Sequence, residues 1–142
     1  MLDKERILSK IDELDKYLNE LKQIMPVSLS EYQEIEKKRS CERLLQLCIE
    51  CIIDICKLFV SGLRLGLPAE ENDLFDKMLK KRLLSKQLYS ALKAMRGFRN
   101  ILVREYAAVD DEMVFKALRY QLSDFVRFKG EILKALRSSY KK

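Results

Sequence analysis

CERLLQLCIECIIDICKLF, residues 41–59, places apolar side chains at Cys41, Leu45, Cys48, Ile52, Ile55 and Phe59, in alternating steps of four and three. An α-helix turns once in ~3.6 residues, so these six side chains share one face. Neither Gly nor Pro interrupts the stretch. Upstream, Ser28 and Glu31 form a capping-box pattern, with Ser30 as a competing cap, and nothing between them and Val60 breaks a helix. The spacing predicts one helix of about 30 residues and ~45 Å, long enough to kink between residues 37 and 40. Gly62, Gly66 and Pro68 mark its exit into a loop over residues 62–72.

The same periodicity extends in both directions. Ile7, Ile11, Leu14, Leu18, Leu21 and Met25 predict a first helix over residues 3–25, ended by Pro26. Leu74, Phe75, Met78 and Leu79 mark a short helix after the loop. Ser85 caps the next, whose stripe is Leu88, Ala91, Leu92, Met95, Phe98 and Leu102. Residues 106–111 read as a turn with Asp110 as N-cap. The last helix carries Val114, Leu118, Gln121, Leu122, Phe125, Phe128, Ile132 and Leu136, and residues 138–142 read as a frayed tail. No segment has a strand period. The fold expected is all-α, an up-and-down bundle of four to five helices in a single domain over residues 1–142. So much apolar stripe in so short a chain also predicts a homodimer.

Composition agrees. Of 142 residues, 48% are apolar and 35% charged, with 4 Gly, 2 Pro and no Trp. That excludes a disordered or collagen-like chain. No window approaches the ~20 apolar residues of a membrane span, and the start, MLDKERILSK, has no apolar signal region. A cytoplasmic location is expected, with no membrane partner. The net charge of +6 suits a nucleic-acid partner and equally an ordinary charged surface.

Cys41, Cys48, Cys51 and Cys56 all lie in the long helix. Cys48 and Cys51 have zinc-like spacing, but a zinc ribbon needs that pair on a turn and a second pair elsewhere. The chain has no second pair and no His. Reduced thiols packing in the core are therefore expected, and no metal. An enzyme built on Cys48 or Cys51 would lack an activating base.

The most informative segment is MRGFRNILVREYAAVD, residues 95–110. Gly97, Phe98, Arg99 and Asn100, followed by Leu102, Val103, Glu105 and Tyr106, with Asp110 opening the last helix, resemble the signature of HepT-like proteins in the HEPN superfamily. The stretch from Cys41 to Ile55 is similar to that family's long second helix, and the likeness runs over roughly residues 5–137. The family pattern has an Arg, four residues and a His. Here the His position holds Arg104.

The resemblance implies a ribonuclease toxin of a two-gene module, working on RNA (tRNA by family analogy) without cofactor or metal. Its partner would be an ATP-binding nucleotidyltransferase antitoxin (the MNT type) that adds AMP to Tyr106, bringing negative charge into the cleft. The chemistry explains the Arg–His pair. A ribose 2′-OH attacking the adjacent phosphate needs a group that takes and gives protons near neutral pH, which His does. The phosphorane needs a fixed cation, which Arg supplies. Arg99 fits the second role and Asn100 stands beside it. Arg104 cannot fill the first, because a guanidinium offers no base near neutral pH. An impaired nuclease is expected, at a cost of about 10²- to 10⁴-fold. Arg104 reflects either a lineage that lost catalysis or an introduced change. A non-catalytic module that binds RNA or a nucleotidyltransferase is the alternative.

From spacing alone, Arg99 and Asn100 read as a solvated helix face, and Tyr106 as a partly buried aromatic. Arg96, Asn100 and Arg104 form one stripe, and Arg99, Val103 and Tyr106 another. Arg99 and Arg104 stand about 140° apart on a helix. They converge only if the helix loosens before Arg104 or if the site assembles across a dimer cleft. Glu50 and Asp54, one turn apart, either sit in structural ion pairs or serve the cleft, by a salt bridge to Arg99 or by lining it.

Overall fold

The computed structural model describes residues 1–104 and 109–140, and among these it contains helices and no strand. They are α1 (Lys4–Gln23), α2 (Leu29–Tyr32), α3 (Ile35–Gly62), α4 (Glu71–Lys80), α5 (Lys86–Arg104), α6 (Asp111–Tyr120) and α7 (Leu122–Tyr140). The Asp3 carboxylate accepts from the Arg6 amide and starts α1. The predicted stripe, Ile7, Ile11, Leu14, Leu18 and Leu21, is buried. It packs on α3, whose own stripe is buried from Cys41 to Val60. On its other sides α1 meets α7, and α5 meets α3, α4 and α7. The core closes on Phe59, Phe75, Phe125 and Phe128, all fully buried. The all-α bundle is as expected. No helix of the described residues is long and apolar enough to cross a membrane.

Two predicted helices are each divided. The first break falls at residues 33–34, ahead of the kink allowed at residues 37–40. Ser28 caps α2 through the Glu31 amide, the first half of the expected capping box. Glu31 itself accepts from the Val27 amide and pairs with Lys37. Glu34 is extended, with ψ 131°. Tyr32 is fully buried, its ring 6.5 Å from that of Phe115. The break turns α2 onto α6 while α3 stays on α1. Its cost is an orphan: the Tyr32 hydroxyl is buried without a hydrogen-bond partner.

The second break is at Gln121, which ends α6. The Ser123 hydroxyl donates to the Tyr120 carbonyl at 3.2 Å and competes with the helical ladder there. Asp110 caps α6 through the Glu112 amide, as predicted. Helix α7 reaches Tyr140, and residues 141–142 of the expected frayed tail lie outside the described residues.

Helices α3 and α4 end alike. The Leu65 amide donates to Val60 O and the Arg64 amide to Ser61 O, and Leu83 and Arg82 repeat this on Met78 and Leu79. These are Schellman closures, in which the left-handed position is usually Gly. Here it is Arg64 (φ 55°) and Arg82 (φ 59°), at a cost of roughly 1–2 kcal/mol each. At Gly62 a Cβ would lie 3.0 Å from Leu2 and Met1 atoms, so only glycine lets the chain's first residues dock there.

Candidate active site around Arg99

Helix α5 is anchored at its start. Ser85 Oγ accepts from the Leu88 amide, and Glu131 of α7 accepts from both the Ser85 amide (2.6 Å) and its hydroxyl (2.8 Å). Leu88, Leu92, Met95 and Phe98 are then buried. Arg96 and Arg99, flanking that stripe, reach α4. The first turn of α4 is fixed by Asp73, which accepts from the Ala69 and Glu70 amides. This sets Glu71 opposite α5.

Glu71 is the centre of the arrangement. Its Oε1 accepts from Arg96 Nε at 3.0 Å and from Arg99 Nη2. Arg99 Nη1 lies 3.8 Å from Glu50 Oε2, and Glu50 in turn accepts from Gln46 at 3.0 Å. The Arg99 side chain is only 13% exposed. Its Nε is buried without an acceptor. A cavity of about 200 Å³ opens beside it, lined by Glu50, Ile53, Asp54, Lys57, Glu71 and Arg99.

The structure thus brings together Arg99, Arg96, Glu50 and Asp54, all singled out in the sequence. Asp54 lines the cavity without touching Arg99, and pairs with Lys10 of α1 at 3.4 Å. Arg96 joins Arg99 through Glu71 rather than standing apart with Asn100 and Arg104. Asn100 is half-buried. Arg104 is exposed at the last position of α5. The helix is continuous up to it, so no loosening brings Arg104 round to Arg99. Tyr106 lies outside the described residues.

Sequence reading missed Glu71 and Lys57. An acidic residue in the first turn of a helix reads as a complement to the helix dipole. Nothing in the sequence says that it reaches across to α5. The four cysteines are free and buried. Burial pushes the Cys41 and Cys51 thiols up to about 11 and that of Cys48 to about 12. Cys56 is driven higher still by the same cause. Such thiols are poor nucleophiles. Among the described residues no three His, Cys, Asp or Glu are placed to share a metal ion.

Comparison with known proteins converges on one family. Residues 14–132 match the family described as ribonuclease HepT-like. The tRNA nuclease HepT of Aphanizomenon flos-aquae is 30% identical over 127 residues, 89% of this chain and 86% of that protein. The mRNA nuclease HepT of Shewanella oneidensis is 28% identical over 122 residues, 86% of this chain and 92% of that one. The fold superposes on the tri-AMPylated HEPN toxin of Shewanella oneidensis, solved in complex with its MNT antitoxin. The TM-score is 0.86 and the identity 28%, over 94% of this chain and 99% of that chain. With the Gly97–Asn100 run on α5 and Arg99 held at its cavity, this chain belongs to the ribonuclease HepT-like family of the HEPN superfamily.

Proposed function

We propose that this chain is the ribonuclease toxin of a toxin–antitoxin pair, with a catalytic centre impaired at Arg104. The observation that carries the reading is Arg99, a nearly buried guanidinium that lines a cavity and whose Nε has no acceptor. Buried donors aimed at a developing charge are what a phosphoryl transition state requires. Asn100 stands next to it as a further polar contact. The family's general acid–base group falls at position 104, where Arg104 contributes charge and no proton transfer near neutral pH.

Within one chain the two residues point apart by about 140°. A single phosphate therefore meets both only where two copies of α5 face each other, which supports a homodimer. Gly97 and Val103 are both exposed on α5, about 120° apart around the helix. Three carboxylates, Glu50, Asp54 and Glu71, share the cavity with Arg99 and Lys57. A phosphate would have to displace Glu71 from Arg99 in order to bind.

By relation to the solved toxin–antitoxin complex, the partner is an MNT-type nucleotidyltransferase that AMPylates Tyr106. The bulk and negative charge of AMP on Tyr106 would repel RNA. The experiment is induction in a bacterial host. The Arg104→His variant should arrest growth, co-expression of an MNT-type nucleotidyltransferase should relieve the arrest, and the relief should vanish with Tyr106→Phe. Growth unaffected by Arg104→His would refute the toxin reading.

One observation favours a second reading. Arg104 is exposed and the chain has no His, which fits a module that binds RNA or a nucleotidyltransferase without cutting. Under that reading Arg104→His restores nothing.

A further inference from the structure

A larger cavity, about 480 Å³, lies where α3 runs into the loop before α4. Its volume falls in the ~300–1,000 Å³ range of small-molecule sites. Leu67, Pro68 and Leu74 give it an apolar wall, and Lys57, Ser61 and Arg64 a polar rim, with no carboxylate in the lining. Lys77 adds a third cation. Its Nζ lies over Gly66, 3.0 Å from where a Cβ would stand, so glycine at φ 109° makes the room. The side chains of Lys57, Arg64 and Lys77 have no carboxylate partner among the described residues.

Two features of this corner are unfavourable to the isolated fold. Arg64 holds a left-handed backbone where glycine would be easier. Leu67 is 95% exposed. The exposed Leu67 suits a partly apolar occupant and the unpaired cations an anionic one; the left-handed backbone is shared with Arg82 and marks no occupant. Lys57 also lines the Arg99 cavity, so the two cavities adjoin. Along α3 the residues facing them run from Glu50 and Asp54 to Lys57, Ser61 and then Arg64 just beyond the helix. The charge changes from acidic to basic along that line.

We propose that this cavity is a nucleotide subsite for a single-stranded segment of the RNA whose scissile phosphate meets Arg99. The proposal rests on the ribonuclease reading. One base packs on Leu67 and Pro68, and its flanking phosphates bind Lys57, Arg64 and Lys77. The subsite would hold RNA through charge and apolar contact, with little choice of base.

The test is fluorescence anisotropy with a 5′-fluorescein-labelled single-stranded RNA twelve-mer of mixed sequence, across a salt series. The Arg64→Gly/Lys77→Ala double variant should bind about tenfold more weakly. Its log–log salt slope should fall by about 0.7–1.4, at ~0.7 for each phosphate no longer held by a cation. Leu67→Asp, which leaves all three cations in place, should weaken binding too. Arg82→Gly is the control. Like Arg64→Gly alone it relieves a left-handed arginine, so both should raise the melting temperature, but Arg82→Gly should leave RNA affinity unchanged.

Suppose the unaltered chain binds the RNA and Arg99→Ala weakens it, while the double variant changes neither affinity nor slope. The subsite is then wrong and the ribonuclease reading stands. If the unaltered chain does not bind the RNA at all, both fall. If the double variant loses the nucleotidyltransferase partner and keeps RNA, the cavity belongs to the protein partner and the proposal is overturned.

Discussion

Replacing Glu71 by Gln should destabilise the fold by about 2 kcal/mol, between two known limits. Removing one partner of a fully buried ion pair costs about 3–5 kcal/mol, and an exposed pair is worth about 0–1 kcal/mol. Here the Arg99 side chain is 13% exposed and that of Glu71 27%, nearer the buried limit. Without the Glu71 charge, Arg99 keeps only Glu50 at 3.8 Å, and Arg96 loses its carboxylate altogether. For a domain of this length, 1 kcal/mol corresponds to about 3–4 °C, so the melting temperature should drop by about 6–8 °C. Glu71 also sits in the first turn of α4, where losing its charge forfeits roughly 0.3–1 kcal/mol by itself. A double-mutant cycle with Arg99→Met, read by urea unfolding, removes that contribution. It should give a coupling of at least about 1 kcal/mol. The same Glu71→Gln change frees Arg99 and should tighten RNA binding. A loss below about 0.5 kcal/mol, with no coupling, would refute the assignment of Glu71 as the residue that holds Arg99.

Three other changes follow from the same packing. Tyr32→Phe removes a buried hydroxyl that has no partner and should raise stability by about 1 kcal/mol in urea unfolding; a clear loss would show that the hydroxyl is satisfied. Burial holds the protons on the Cys41, Cys48 and Cys51 thiols up to about 11 to 12, against an ordinary value of 9.0. Their contribution is thus intact below pH 9 and declines above it, as unfolded thiols ionise while buried ones do not. Stability should fall less steeply from pH 9 to 11 in Cys48→Ala than in the unaltered chain. Native iodoacetamide labelling at pH 8 should be slow at all four, and fast labelling of Cys48 or Cys51 would revive a thiol chemistry. Gly97 is exposed within α5 with nothing within 4 Å of a Cβ position. Gly97→Ala should therefore add about 0.5–1 kcal/mol. No gain would indicate that a second copy packs closely on that face.

The helices were legible because burial leaves a period. The stripes Ile7–Leu21, Cys41–Phe59 and Leu88–Phe98 can be read directly and are buried as read. Both breaks escaped that reading for one reason. At residues 33–34 and at Gln121 no Gly or Pro interrupts the chain; a tertiary contact sets the first turn and a local side-chain bond accompanies the second. Tyr32 seats against Phe115, and Ser123 captures a neighbouring carbonyl. The site was legible in part. Arg99 and the departure at Arg104 stand out in the segment from Met95 to Asp110. Glu50 and Asp54 were visible as carboxylates on an apolar helix. Glu71 was not, because its partners lie 25 and 28 residues away, and only the fold brings them together.

Whether position 104 is the lesion of a ribonuclease centre is decided by cleavage of a tRNA and mRNA panel, with EDTA present, by this chain and its Arg104→His variant side by side. The variant should cut, and this chain should be slower by about 10²- to 10⁴-fold, the usual worth of general acid–base catalysis. Equal cutting by both would show that position 104 does not carry proton transfer. Cutting by neither would contradict the ribonuclease assignment and leave the binding module in its place.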